Sequence, residues 1–325
     1  MAAAAAVATS LAAPTDVALA VVRADGRLQP LAALAGDEWS ALAATDAAGD
    51  WSLWLFDDPA VKTSAFAVRT ARPVTVAAAA GACLPVSGLD AGTTPPVAGT
   101  TAAPSPLGLA LRGTDLRPDL PVAVDAAGEL GRQLASRAAA AFHRAEDETL
   151  TLEAEELPAG FPRFADRRQR PVTWTLMARQ GLALAAAKTY YLEGRKDYQG
   201  FRGRTDIGQI RTTGHVFVRE AGGRETIDAE VDLSDVEGHQ SVFRTPLAIV
   251  AWPARSAWLF ATRATDGAHL EVIEVTAGTS RPRSVWQGPD GCAADRRKSP
   301  AGRGRLRSGW LTTPEWLVYY SGVVG

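Results

Sequence analysis

The stretch HVFVREAGGRETIDAEVDL, residues 215–233, decides the fold class of this chain. Two runs of alternating apolar and polar residues flank a Gly-Gly pair, and glycine readily adopts the positive φ angles of a tight hairpin turn. If the turn pairs Glu220 with Glu225, His215 lies opposite Glu230 on the neighbouring strand. The stretch therefore predicts an antiparallel hairpin with one apolar face and one acidic, solvated face.

Strand-like runs of the same kind lie on both sides of this hairpin. They occupy residues 172–178, 182–193, 246–252, 257–264 and 269–275. About seven short strands separated by tight turns are typical of an antiparallel meander. We therefore expect the region after Pro171 to form a meander that closes into a barrel or a sandwich.

The N-terminal part of the chain has a different organisation. Residues 16–85 contain several apolar runs, two of which flank Asp25-Gly26, and this pattern predicts a small β region. Residues 84–106 are rich in Pro, Gly and Thr, which is the composition of a linker. We therefore expect a β region over residues 16–106 and a helix-plus-meander domain over residues 107–292.

Residues 124–148 form the one convincing helical pattern in the chain. Alanine dominates the middle of the segment, and Asp125 is a good residue type for the N-cap. At about 100° per residue, one face carries Leu130, Leu134, Ala138, Ala141, Phe142 and Ala145. The whole sequence therefore predicts an α+β fold dominated by β structure, in which one Ala-rich helix packs on the C-terminal meander.

The C-terminal end of this helix carries a candidate metal site. His143 and Glu146 have the H-x-x-E spacing that lets two helical side chains share a metal ion, and Asp147 is adjacent. A second motif is needed to complete such a ligand set, and the chain has none. The helical geometry also turns His143 away from the core, whereas Glu146 borders the apolar stripe.

The acids at this end of the helix oppose the helix dipole. Glu146, Asp147 and Glu148 lie where the partial charge of the helix is negative. We therefore expect partners elsewhere to hold them, for example the arginines of RFADRRQR, residues 163–170. The alternative to a metal site is a solvated helix face.

The acidic strand of the opening hairpin leads to a second candidate cation site. Asp232 is followed by Asp235, Glu237 and His239, whose side chains are of the types that bind divalent cations. The spacing is not that of an EF-hand loop. A solvent-exposed acidic face is therefore the alternative interpretation.

Aromatic residues in the meander are candidates for lining a ligand cavity. Tyr190, Tyr191, Trp252 and Trp258 lie on the predicted strands. The interior of a barrel can enclose a ligand between such side chains. Packing of the same residues in a filled core is the alternative.

Composition and motifs narrow the range of functions. The net charge is −2, and no specific nucleic-acid motif is present. Nucleophile-elbow, phosphate-loop, zincin and dinucleotide-binding motifs are absent as well, which argues against the common classes of hydrolase. No apolar run approaches the roughly 18 to 20 residues that are needed to span a bilayer.

Two features favour a secreted or periplasmic location over a cytoplasmic one. Residues 1–15 resemble a truncated signal peptide, with a short apolar stretch and small residues but no basic start. Cys83 and Cys292 are the only cysteines, and an exported protein would use them for one long-range disulfide. In a cytoplasmic protein they would be two unrelated thiols. These features are typical of exported bacterial proteins.

Residues 293–325 begin with a strongly basic run and are expected to form a flexible tail. The basic residues of this run are Arg296, Arg297, Lys298, Arg303, Arg305 and Arg307. Such a run is suited to contact with anionic surfaces.

The main hypothesis is an exported, non-catalytic β module that binds a ligand or associates with the cell envelope, without a cofactor. One alternative is a metal-assisted hydrolase that uses a divalent cation at His143 and Glu146 or at the acidic residues 228–239. The other is binding of an anionic polymer through the basic tail.

Overall fold

A computed structural model describes most of the chain between residues 16 and 289. The described residues are 16–22, 27–42, 49–56, 71–78, 84–85, 108–113, 116–154, 157–158, 160–181, 187–202, 209–235, 243–252, 254–264, 267–276 and 281–289. The predicted leader, both cysteines, Glu237, His239, the side chain of Asp235 and the basic tail lie outside this part.

The described chain forms sixteen strands and two helices. The strands are β1 (Asp16–Val22), β2 (Arg27–Ala35), β3 (Glu38–Ala41), β4 (Gly49–Phe56), β5 (Ala71–Ala78), β6 (Leu84–Pro85), β7 (Gly108–Arg112), β8 (Val122–Ala123), β9 (Thr173–Arg179), β10 (Ala187–Arg202), β11 (Gln209–Ala221), β12 (Arg224–Asp235), β13 (Phe243–Ala251), β14 (Arg255–Ala264), β15 (Gly267–Thr276) and β16 (Arg283–Pro289). The helices are α1 (Glu129–Leu152) and α2 (Phe164–Gln169). The predicted α+β fold with dominant β structure is confirmed.

The strands form three antiparallel sheets. Sheet 1 has the order β3-β2-β1-β7-β4-β5, and β6 pairs with β2. Sheet 2 has the order β12-β11-β10-β9-β8, and sheet 3 has the order β13-β14-β15-β16. Of the two predicted forms of the meander, a barrel or a sandwich, the two sheets correspond to the sandwich, because β12 and β13 do not pair within the described residues. Strand β7 follows the Pro-rich segment and completes sheet 1.

The register of the β11–β12 hairpin is the predicted one. Glu220 pairs with Glu225, and His215 pairs with Glu230. Gly222 and Gly223 have φ angles of 56° and 76°, which are the left-handed values that a two-residue hairpin turn of this kind requires. A turn of two residues leaves no freedom to slide the strands, so the sequence alone determines this register.

The sheets stack face to face, with sheet 3 in the middle. One apolar cluster joins β1, β2, β3 and β7 of sheet 1 to all four strands of sheet 3. A second cluster joins Tyr191 and Phe217 of sheet 2 to the opposite face of sheet 3. Helix α1 covers the outer face of sheet 2. The order of layers is therefore sheet 1, sheet 3, sheet 2 and α1.

Helix α1 buries the predicted stripe. Leu134, Ala138, Ala141, Phe142 and Ala145 are buried, and Leu130 is partly buried against the same layer. The Phe142 ring lies so close to Gly214 of β11 that a β-carbon there would collide with it. Helix α1 therefore needs glycine at this position to sit at its observed distance from sheet 2. No helix in the described ranges is long and apolar enough to span a membrane.

The predicted start of α1 was wrong by one turn. The N-cap residue is Gly128, and no side chain caps the helix. Asp125 instead accepts a hydrogen bond at Oδ1 from the backbone N–H of Ala127, at 2.9 Å. This bond stabilises a turn before the helix, which is the competing use of an Asp side chain near a helix N-terminus.

Candidate functional site

Two neighbouring strands present polar side chains to the C-terminal half of α1. Alternate residues of β10 face the helix. Tyr190 and Leu192 are two of them, and further along the same face lie Lys196 and Tyr198. Thr212 of β11 faces the same side. These residues meet Glu146 of α1, which is completely buried.

The carboxylate of Glu146 accepts three hydrogen bonds. Its Oε2 lies 2.7 Å from Nζ of Lys196. Its Oε1 accepts from the Tyr198 hydroxyl at 2.7 Å and from the Thr212 hydroxyl at 2.6 Å. A buried carboxylate is stable only when it is paired and hydrogen-bonded in this way.

The ammonium nitrogen of Lys196 also has three polar contacts. Besides Glu146, Nζ contacts Nδ1 of His143 at 2.8 Å and donates to the backbone carbonyl of Arg167 at 2.9 Å. The Glu146 carboxylate at 2.7 Å favours the ammonium form of Lys196, whose third proton is then directed at Nδ1 of His143. The geometry therefore describes an ion pair between Lys196 and Glu146.

The segment 160–170, which contains α2, covers this ion pair, and we call it the α2 cover. Phe161 packs on the Tyr198 ring with centroids 4.9 Å apart, and the Arg170 guanidinium lies 5.2 Å from the centre of that ring. Arg167 forms an ion pair with Asp147 of α1 and donates to the Pro162 carbonyl at 2.6 Å. The prediction that arginines of residues 163–170 hold the acids of α1 is thus confirmed for Asp147.

Burial and neighbouring cations shift the titration of the ion pair and its surroundings. Burial lowers the pKa of Lys196, and Arg167 and Arg170 act in the same direction, although Glu146 opposes the shift. Burial and then the charge of Lys196 lower the pKa of His143. Burial raises the pKa of the Tyr198 phenol, and the charge of Glu146 adds to this effect. Burial therefore acts against the charged form of all three groups.

The structure changes the interpretation of the H-x-x-E motif. His143 does not face open solvent as predicted, since its side chain is only 13% exposed and contacts Lys196. The helical wheel could not anticipate this, because the α2 cover and β10 enclose that side of the helix. Glu146 and Asp147 are bound by Lys196 and Arg167. Across the described residues, no group of three or more His, Cys, Asp or Glu side chains is arranged to hold a metal ion.

A second charged network lies on the opposite face of sheet 2, against sheet 3. Glu193 accepts from the Thr175 hydroxyl at 3.0 Å and from the backbone N–H of Arg244 at 2.9 Å. The Arg244 guanidinium lies 2.9 Å from Glu230 and 3.0 Å from Glu271. Burial opposes the charge of Arg244, but the carboxylates of Glu271 and Glu230 raise its pKa. Arg244 therefore ties β13 to β12 and β15.

His215 belongs to this second network. Its Nδ1 lies 2.8 Å from the Tyr191 hydroxyl, and its Nε2 lies 3.3 Å from Asp232. Burial opposes ionisation of Asp232, but the hydrogen bond and charge of His215, together with Arg244, lower its pKa. The acidic face of β12, which we predicted to be solvated, instead faces sheet 3, and Asp232 is only 33% exposed.

The four aromatic candidates lie at three different interfaces between layers. Tyr190 packs beneath α1, and Tyr191 and Trp258 pack between sheets 2 and 3. Trp252 lies between sheets 1 and 3, where its ring meets that of Trp39 edge to face, with centroids 6.2 Å apart. These side chains do not face one common space.

Sequence reasoning missed the partners that complete both networks. Lys196, Tyr198 and Thr212 bind Glu146, and Arg244 and Glu193 organise the second network. One signal was available: Lys196 is one of only four lysines, and it continues an alternation of buried residues on β10. A charged residue at such a position needs a buried partner.

Comparisons with protein-family models, with curated proteins and with solved structures give no match to this chain.

Proposed function

We propose that this chain is a non-catalytic binding module that is exported and associates with the cell envelope. The observation that carries this proposal is that the hydrogen-bonding groups around Glu146 are bound by one another within the chain. Every proton of Lys196 and both oxygens of Glu146 are bound by other groups of the chain. An acid–base catalyst must instead exchange its proton with a substrate. The cluster therefore favours a structural role, with binding carried by other surfaces.

The basic tail supports association with an anionic surface. Six basic residues lie between Arg296 and Arg307, with few apolar residues among them. Each basic residue near an anionic lipid surface contributes about 1 kcal/mol of attraction, and salt weakens it. The tail is thus the part of the chain that we expect to contact the envelope.

A vesicle assay tests this proposal on the full chain. We expect cosedimentation with phosphatidylglycerol-containing vesicles at low salt, no cosedimentation with phosphatidylcholine vesicles, and release by added salt. Replacing the six basic tail residues by Gln should abolish binding, whereas the charge-preserving control, with the five arginines replaced by Lys, should retain it. Equal binding to both kinds of vesicle, or binding that survives the Gln replacements, would contradict the proposal.

An activity assay separates this function from a metal-assisted hydrolase. Chromogenic esters, phosphates and glycosides are incubated with the full chain, with and without added Zn²⁺ or Mn²⁺. We expect no turnover above the background of buffer and metal. Turnover that disappears in Glu146→Gln would identify an enzyme and overturn the non-catalytic assignment.

Fractionation of cells that express the chain tests export. Retention of the chain in the cytoplasm would contradict the proposal that it is exported.

A further inference from the structure

The contact between His143 and Lys196 constrains the protonation of both side chains. Nδ1 of His143 and Nζ of Lys196 lie 2.8 Å apart. An ammonium group only donates hydrogen bonds, so Nδ1 must be an acceptor, and the ring proton must lie on Nε2. The observed packing is therefore compatible only with a neutral imidazole.

Protonation of His143 converts this hydrogen bond into a contact between two donors. The same step places two positive charges in contact in a poorly solvated position, since Lys196 is 2% exposed. The charged groups that face His143 are Lys196 of β10, Arg168 of the α2 cover and Glu146 of α1. Two of these three are cations, and Glu146 is already occupied by Lys196, Tyr198 and Thr212.

The pKa of His143 agrees with this geometry. Burial and the charge of Lys196 lower the pKa of His143 below the ordinary value of 6.5, with a further contribution from Arg168. Glu146 opposes the shift without reversing it. The folded arrangement therefore resists protonation of the imidazole.

The α2 cover is the part best able to move when His143 becomes charged. Lys196 is held to Glu146 inside the layer between α1 and sheet 2. The cover, in contrast, is held at this point by one backbone acceptor, the ion pair between Arg167 and Asp147, and packing on Tyr198. It also carries Arg168, which a charged His143 repels.

We propose that His143 is an acid-sensitive switch whose protonation releases the α2 cover from α1 and β10. In the closed state, the cover keeps Lys196, Glu146 and Tyr198 away from water. In the open state, the Arg167 carbonyl leaves Nζ of Lys196 and water replaces it. Acidification thus exposes a polar surface that is hidden at neutral pH. This inference does not depend on the binding function proposed above.

Hydrogen exchange of the full chain tests the switch. Protection factors of residues 160–170 are measured at about pH 7.5 and about pH 5, on either side of the usual histidine range, and are normalised to unstructured peptide at each pH. Because the closed state disfavours the protonated imidazole, acidification shifts the equilibrium towards the open state. We therefore expect protection of residues 160–170 to fall severalfold at the lower pH, while residues 209–221 stay protected.

Variants at two histidines provide the controls. His143→Gln keeps an acceptor for Lys196 but cannot gain a proton, so it should remove the pH dependence of residues 160–170. His269→Gln, on β15, should leave it intact. Constant protection in the unmodified chain, or the same loss in His143→Gln, would overturn the switch.

A spectroscopic measurement keeps the inference testable if His143→Gln does not fold. Nitrogen chemical shifts of His143 in the unmodified chain at about pH 7 report the tautomer, because neutral imidazole carries its proton on one nitrogen only. We expect an unprotonated Nδ1 and a protonated Nε2. An imidazolium ring, or a proton on Nδ1, would refute the proposal.

Discussion

The carboxylate of Glu146 on α1 and the ammonium of Lys196 on β10 lie 2.7 Å apart, and each side chain is only 1% exposed. Removing two charges from water costs several kcal/mol per ion, which only a close partner and further hydrogen bonds offset. Tyr198, Thr212 and the Arg167 carbonyl supply those bonds. Glu146 therefore joins α1 to β10 and β11 of sheet 2.

Removing one partner of this pair should be more harmful than removing both. Lys196→Met leaves Glu146 buried without its counter-ion, and we expect a loss of about 3–5 kcal/mol in the free energy of unfolding. The double variant Glu146→Leu/Lys196→Met should lose clearly less, because no uncompensated charge remains. Denaturant unfolding of the unmodified chain, Lys196→Met and the double variant checks this, and a double variant at least as unstable as Lys196→Met would contradict it.

The stability of the protein should fall on mild acidification because of His143. Its pKa is lower in the folded state than the ordinary 6.5, so the unfolded chain binds more protons below about pH 6.5. Stability therefore decreases as the pH falls from that value to the folded pKa. Unfolding free energies of the unmodified chain and His143→Gln are measured across this range, and the unmodified chain should lose stability relative to the variant as the pH falls. Parallel curves would show that His143 does not contribute.

Gly214 should not tolerate even a methyl group. A β-carbon at this position collides with the Phe142 ring, and Gly214→Ala should cost about 1–3 kcal/mol. Phe142→Leu removes the colliding ring edge, so the cost of Gly214→Ala should be smaller in that background. Urea unfolding of the four proteins of this double-mutant cycle measures the coupling. Additive effects would mean that the collision is relieved elsewhere.

Arg244 should contribute far more stability than a comparable exposed arginine. Arg244→Met leaves the buried Glu271 without its charged partner, and we expect a loss of about 3–5 kcal/mol. Arg283 pairs with Glu274 but is 44% exposed, so Arg283→Met should cost less than about 1 kcal/mol. Similar midpoints for the two variants in denaturant would contradict the role assigned to Arg244.

Asp232 should stabilise the fold at neutral pH and lose this effect in acid. His215 and Arg244 lower its pKa below the ordinary 3.8, so its contribution is present above that value and disappears as the pH falls through the folded pKa. Asp232→Asn should therefore cost about 1 kcal/mol near neutral pH and almost nothing in strong acid. A difference that persists at low pH would point to packing instead of charge.

Local patterns predicted the parts of this fold that depend on local geometry. The two-residue turn between Ala221 and Arg224 determined the hairpin register, including His215 opposite Glu230. The apolar stripe of α1 followed from helical periodicity. The N-cap did not, because an Asp near a helix start can stabilise the preceding turn instead.

The site itself depended on contacts between distant segments. Glu146 was correctly placed at the edge of the buried stripe, but Lys196 lies 50 positions away on another element. The pattern also left open whether the strands after Pro171 would close into one barrel or form two packed sheets, as they do. Alternation identifies which residues share a face, and it does not identify which layer covers that face.

The position of sheet 3 has a consequence for biosynthesis. Of the three sheets in the described part of the chain, it is the last to leave the ribosome, and yet it is the middle layer. Until it is made, the inner face of sheet 1 and the face of sheet 2 that carries Tyr191 and Phe217 both lack their cover. A nascent chain in that state exposes two apolar surfaces to its neighbours, which is a condition that favours aggregation. The late strands must therefore insert between two earlier layers, and a chain that stops before β13 should need a chaperone to remain in solution.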